Sequence, residues 1–195
     1  MTFEEALQKL QTASPLHITV SGDIGAGKST FAKRLAKELA LPRISIGSLM
    51  REEAAKRGIT LTEFGKLQEQ DDTVDRAMDA LQQKRSKETE RGVFEGRVAW
   101  NFVVDPKIRV FLKVDEKTAA ERIIEDTNEE RDELPSVEAV IADNEKRKRS
   151  EQTRYRNYYD IDAYDPGNFD IILDTSKIDA QEVFKEGVKR IAEAI

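Results

Sequence analysis

Residues Val20 to Leu39 read VSGDIGAGKSTFAKRLAKEL, and four of them have the types and spacing that hold a phosphate: Gly22, Gly27, Lys28 and Ser29 fit G-x-x-x-x-G-K-[ST]. Successive backbone N–H groups must turn inward around the anion, and a side chain at the glycines would block that path. Lys28 then reaches the outer phosphates of a nucleotide, Ser29 offers a hydroxyl to Mg2+, and the following helix points its N-terminus at the anion. Gly22, Asp23, Ile24, Gly25, Ala26, Gly27, Lys28, Ser29 and Thr30 are therefore candidate nucleotide contacts. In the empty loop Lys28 is expected to face solvent. The competing reading is a glycine-rich turn at a helix start.

A phosphate loop alone suits a switch GTPase, a motor-like ATPase or a small-molecule kinase. The chain has no N-K-x-D string and no D-x-x-G after a strand, which weakens the first. A kinase needs cations on several sides of one transfer, because the negative charge is shared among donor, transferred group and acceptor. Three places supply them. Arg51, in SIGSLMRE, starts near the ligand-binding edge of a parallel sheet. Glu95 and Arg97, in VFEGR, end a strand; the carboxylate suits Mg2+ held through water, and the guanidinium suits an acceptor phosphate. A structural ion pair at a strand end is the alternative there. The third place holds Arg122, Arg131, Arg147, Arg149, Arg154 and Arg156. On a helix Arg147 and Arg154 share a face with Ser150 and Glu151 between them, while Arg149 and Arg156 lie about 200° away and should be solvated.

Other polar and aromatic residues carry less. His17 opens the first strand at the end remote from the loop and reads as structural. Trp100 suits either base stacking or core packing. Asp75 and Asp79, at i and i+4 with Met78 and Leu81 on the apolar side, should face away from the core and meet an acceptor base or water.

These groups need a scaffold, and the hydrophobic pattern provides one. Apolar runs LHITVSG, PRISIG, GVFEG, KIRVFLKV and NFDIILDTS alternate with helical stretches, the pattern of a parallel sheet covered by helices. Phe31, Leu35 and Leu39 put one apolar stripe on the helix after the loop; Val183, Phe184, Val188 and Ile191 do so on the last helix. Phe3, Leu7 and Leu10 mark a short packing helix at the start. Residues 48–90 read as three helices broken near Gly58 and at EQDDTVD. Residues 118–159 form a second helical insertion, whose apolar Val137, Val140 and Ile141 give way to NEKRKRSEQTRYRNYY. So little burial suits a moving lid.

Composition limits the rest. A chain of 195 residues, 38% of them hydrophobic, supports one domain. A net charge of −6 disfavours nucleic acid and membrane surfaces, and the lack of cysteine excludes disulfides and thiolate chemistry. The first residues lack the basic start and apolar centre of a signal peptide, so a cytoplasmic protein is expected.

The chain resembles the nucleoside monophosphate kinases, and among them the short archaeal-type cytidylate kinases. ITVSGDIGAGKSTFAKRLAKEL, SIGSLMRE, LTEFGKLQE, VFEGRVA, FLKV…TAAERI and SEQTRYRNYYDID…FDIILDTS are similar to that family's segments, in the same order, over about Ile18 to Ser176. The resemblance implies an α/β, three-layer phosphate-loop fold with a five-stranded parallel sheet. It further implies a core (16–47, 91–117, 160–195), a monophosphate-binding insertion (48–90), a lid (118–159) and an N-terminal extension (1–15). Its activity would be transfer from ATP, with Mg2+, to CMP or dCMP. By position Lys28 and Ser29 would bind the donor and metal, with Glu95 holding the metal through water. Ser45, Gly47, Arg51, Asp75, Glu95 and Arg97 would bind the acceptor, and Arg131, Arg147 and Arg154 would be lid arginines. The expected partners are small nucleotides, with the chain acting as a monomer. A kinase for another acceptor and a non-catalytic nucleotide-binding regulator remain as alternatives.

Overall fold

Each of the five apolar runs contains one strand. The structure, a computed structural model, describes residues 1–126 and 136–195. Strands β1 (Leu16–Gly22), β2 (Arg43–Ser45), β3 (Arg91–Glu95), β4 (Ile108–Lys113) and β5 (Ile171–Asp174) are all parallel, in the order β2-β3-β1-β4-β5. Every residue of central β1 is buried, because helices cover both faces of the sheet.

On one face lie α1 (Phe3–Thr12), α2 (Lys28–Glu38) and α9 (Ala180–Ala194). Phe31 and Leu35 of α2, and Val183, Phe184, Val188 and Ile191 of α9, enter one cluster with Ile18, Val20, Val110 and Leu173, as their spacing predicts. Helix α1 is the expected packing helix. Its Phe3 meets Phe184 edge to face at 6.0 Å, and Lys9 Nζ donates to the Ala192 carbonyl at 2.8 Å.

The other face carries the insertions. Between β2 and β3 stand α3 (Ile46–Lys56), α4 (Leu61–Gln70) and α5 (Thr73–Lys87), the three helices expected, with Gly58 at a positive φ between the first two. Thr60 and Glu63 close a capping box that starts α4. A four-residue helix, α6 (Ala99–Phe102), follows β3 and is too short for its periodicity to show in sequence. After β4 come α7 (Glu116–Glu125) and α8 (Val137–Tyr159).

One expectation changes. The buried face of α5 is Asp75, Asp79, Gln82 and Ser86, so the two aspartates point inward and Met78 and Leu81 are only partly covered. Hydrophobic spacing missed this because α8 brings polar partners to α5. Helix α8 buries little over most of its length, as expected, but besides Val140 it buries Arg154 and Tyr155 near its end, which the apolar pattern did not indicate.

Candidate functional site

Strand β1 ends in the phosphate loop because its register leaves no room for anything else. Gly22 lies opposite Leu112, and a Cβ on it would stand 2.3 Å from the Leu112 carbonyl oxygen. Gly27 sits at φ 82 as the residue before α2, a left-handed conformation that turns the chain into the helix. Asp23 anchors the loop, accepting the Val114 N–H at 3.2 Å and pairing with Lys148 at 3.6 Å. Ala26 is buried, Gly27 and Thr30 are exposed, and Ile24, Gly25 and Ser29 are partly so.

Lys28 does not face solvent. Its Nζ turns back to donate to the carbonyls of Gly22, at 3.0 Å, and Asp23. Burial, with the Arg97 charge beside it, lowers its pKa to about 7. Ser29 Oγ donates to Glu95 Oε1 at 2.5 Å, and the other Glu95 oxygen takes Arg43 Nη1 at 2.5 Å. Glu95 is thus both the expected neighbour of Ser29 and one half of a strand-end ion pair. These two oxygen-bearing side chains suit Mg2+, which keeps most of its waters and takes one or two protein ligands plus phosphate oxygens. Among the described residues no group of three or more His, Asp or Glu side chains is arranged around a metal position.

Arg97 leaves the end of β3 and reaches across to the loop. Its Nη1 donates to the Gly22 carbonyl, the same oxygen that Lys28 uses, while Nε and Nη2 hold both oxygens of Glu151 on α8 at 2.5 and 3.3 Å. Tyr164 donates its hydroxyl to Glu151 at 2.9 Å. Burial opposes the charges of this pair, but their attraction prevails: the Arg97 pKa is raised, and Glu151 falls to about 2. Arg51 lies on α3, whose N-terminus is capped by the buried Ser45. Its guanidinium donates to Ser48 Oγ at 3.2 Å and lies next to Gly47, 3.7 Å from where a Cβ would stand there, an ordinary contact distance.

Helix α8 closes over α5. Arg154 Nη1 meets Asp75 Oδ2 at 2.9 Å, Gln68 Nε2 donates to Asp75 Oδ1 at 2.7 Å, and Tyr159 donates to Asp79 at 2.7 Å. Burial raises the pKa of both aspartates, against Arg154 for Asp75 and against the Tyr159 hydrogen bond for Asp79, which reaches about 7. Arg147 is partly buried one turn before Glu151, whose pKa it helps to lower. Arg149 and Arg156 are exposed, as their face predicts, and pair with Glu145 and Asp162. Arg122 turns away to Thr175, and Arg131 lies outside the described residues. His17 joins the Val104 and Thr89 carbonyls at the far edge of the sheet, a structural place. Trp100 packs edge to face on Phe169 at 6.1 Å.

A profile of the cytidylate kinase-like family matches residues 17–177, most of the chain. The chain belongs to the cytidylate kinase-like family. It is 39% identical to a cytidylate kinase of Methanocella arvoryzae over 85% of this chain and 91% of that protein. It is 35% identical to a cytidylate kinase of Methanothrix thermoacetophila over 83% and 90% of the two chains. The fold is shared with shikimate kinase from Bacteroides thetaiotaomicron, at a TM-score of 0.60 and 16% identity over 93% and 98% of the chains.

For this member of the cytidylate kinase-like family, sequence reasoning brought Lys28, Ser29, Glu95 and Arg97 together and missed their protein partners. Glu151 could have been found, since it shares a helix face with Arg147 and Arg154. Arg43 and Tyr164 gave no sequence signal, because their places come from contacts between elements far apart in the chain.

Proposed function

We propose that this protein transfers the γ-phosphoryl group of ATP to CMP or dCMP, giving ADP and CDP or dCDP. The observation that carries the reading is the meeting of Lys28 and Arg97 at the Gly22 carbonyl: a cation of the donor loop and a cation of the acceptor side stand at one point. A transferred phosphoryl group lies between donor and acceptor, and cations on both sides hold the charge that spreads there. A mere ATP-binding regulator has no use for Arg97 at that place.

Lys28 and the loop N–H groups would hold the β and γ phosphates. Arg97 and Arg51 would hold the acceptor phosphate in line, after Glu151 gives way. Arg147 and Arg154 would add positive charge from α8. Mg2+, held by Ser29 and through water by Glu95, would supply charge neutralisation on the donor oxygens. No general base is required, because the acceptor phosphate oxygen is already ionised, and no covalent enzyme intermediate is formed. Positioning carries the rate. The protein would act as a monomer on small nucleotides, and among the described residues no helix is long and apolar enough to cross a membrane.

An assay of ADP release across CMP, dCMP, UMP, AMP, GMP, TMP and shikimate tests this. The reading expects the cytidine nucleotides to give the highest kcat/KM. Preference for shikimate or another hydroxyl acceptor would overturn it, and so would the absence of acceptor-dependent turnover.

A further inference from the structure

The inward face of α5 contains a side chain that the site as described does not use. Gln82 is fully buried, and neither its amide nitrogen nor its amide oxygen has a hydrogen-bond partner among the described residues. A buried amide left unpaired is costly, and an apolar side chain would fill the same space without that cost. Gln82 also has a telling position. Its Nε2 stands 3.4 Å from where a Cβ would be on Gly96, the residue next to Arg97. The unpaired amide thus lies beside the backbone that leads into Arg97, and Asp79 precedes it by one turn on the same buried face.

We propose that Gln82 and Asp79 read the base edge of the acceptor nucleotide, Gln82 as a donor and acceptor pair and Asp79 as an acceptor. The inference rests on the kinase reading above and goes further by assigning the residues that choose the base. A carboxamide presents one N–H and one C=O side by side, which match the ring nitrogen and exocyclic amine of a cytosine. Gln82 alone does not choose, since its amide rotates to suit the reversed pattern of uracil. Asp79 supplies the choice above about pH 7, where it is ionised: its carboxylate then accepts from the amine of cytosine and repels the carbonyl oxygen that uracil has there. Phe102 and Tyr159, whose rings meet edge to face at 4.9 Å, offer aromatic surface beside Asp79. In the ligand-free protein the Tyr159 hydroxyl occupies Asp79 at 2.7 Å, and the base takes its place.

The test uses Gln82→Met and Asp79→Asn in the full chain, with kcat/KM for CMP and UMP, the ATP dissociation constant and the thermal midpoint. Gln82→Met should lower kcat/KM for CMP by about tenfold or more, as expected when a site loses hydrogen bonds to its substrate. ATP affinity should hold, and the midpoint should stay or rise because an unpaired buried amide is gone. Asp79→Asn should lower the ratio of CMP to UMP turnover by about tenfold or more, since its N–H can donate to the uracil oxygen. Should Gln82→Met fail to fold, the Asp79→Asn ratio decides. Unchanged CMP kinetics in the first variant and an unchanged ratio in the second, with an active wild type, would overturn the base assignment and leave the kinase reading standing. A wild type that turns over no nucleoside monophosphate would overturn both.

Discussion

Arg97 and Glu151 form a two-pronged ion pair across the mouth of the phosphate loop, with Nε 2.5 Å from Oε2 and Nη2 3.3 Å from Oε1. If Arg97 holds the acceptor phosphate, Glu151 and that phosphate compete for one guanidinium. Arg154 is likewise held by Asp75, through one contact at 2.9 Å, so two arginines of the candidate site are held by carboxylates of the protein itself.

Glu151→Gln should destabilise the ligand-free protein, because it leaves the Arg97 charge buried without its counterion, a loss of about 3–5 kcal/mol when one partner of a buried pair is removed. Added CMP should then raise the thermal midpoint more in the variant than in the wild type, since the phosphate restores the missing anion. Equal shifts in the two proteins would show that Glu151 and the acceptor do not share Arg97.

Lys28→Met should lower kcat by roughly a hundred- to a thousand-fold, the scale for removing one donor to a developing charge. The fold should survive. Burial already disfavours the ammonium, which holds only loop carbonyls in the empty site, so urea unfolding should show stability equal to or above wild type. Near-normal turnover in this variant would remove the loop from the donor site.

The legible part of this molecule was the part written in apolar spacing and in one local motif. The five strands follow from short apolar runs, and α2 and α9 from apolar side chains that recur every three to four residues. The loop follows from contiguous residues, and Glu95 and Arg97 from their place at the end of β3. Helix α5 was misjudged for a physical reason: the face that turns inward is Asp75, Asp79 and Gln82, and polar groups are stable there through partners or ligands that other segments bring. Arg154 and Tyr159 lie some 80 residues away in sequence, with separations of 79 and 80 to Asp75 and Asp79. No local pattern registers such a pairing.

The buried Asp79 makes a signed prediction about pH. Its pKa is about 7 in the folded protein, against the ordinary 3.8, so between roughly pH 4 and 7 the folded state holds a proton that the unfolded chain has released. Stability from this group is therefore present at the acid end and lost as pH rises through 7. Asp79→Asn has no such proton and keeps an acceptor for Tyr159. The stability of the variant minus that of wild type, from urea melts, should rise by about 2–4 kcal/mol between pH 4 and pH 8. A flat difference would mean that Asp79 is ionised in the folded protein throughout.

The acceptor clamp gives the sharpest division of the site. If Arg51 and Arg97 hold the acceptor phosphate, alanine at either position leaves that dianion short of a partner while Lys28 and Ser29 still hold ATP. A charge-assisted hydrogen bond is worth about 1.5–3 kcal/mol, so each change should lower kcat/KM for CMP by roughly ten- to several hundred-fold. ATP affinity measured alone should barely move. Arg51→Lys should recover only part of the loss, because an ammonium restores the charge without the planar fork. Arg97→Ala should also release Glu151, so its thermal midpoint should fall, whereas Arg51, on a half-exposed turn of α3, should show the kinetic loss with little change in stability. Should both alanine variants weaken ATP binding as much as they slow CMP turnover, the two arginines belong to the donor, and the acceptor phosphate lies elsewhere.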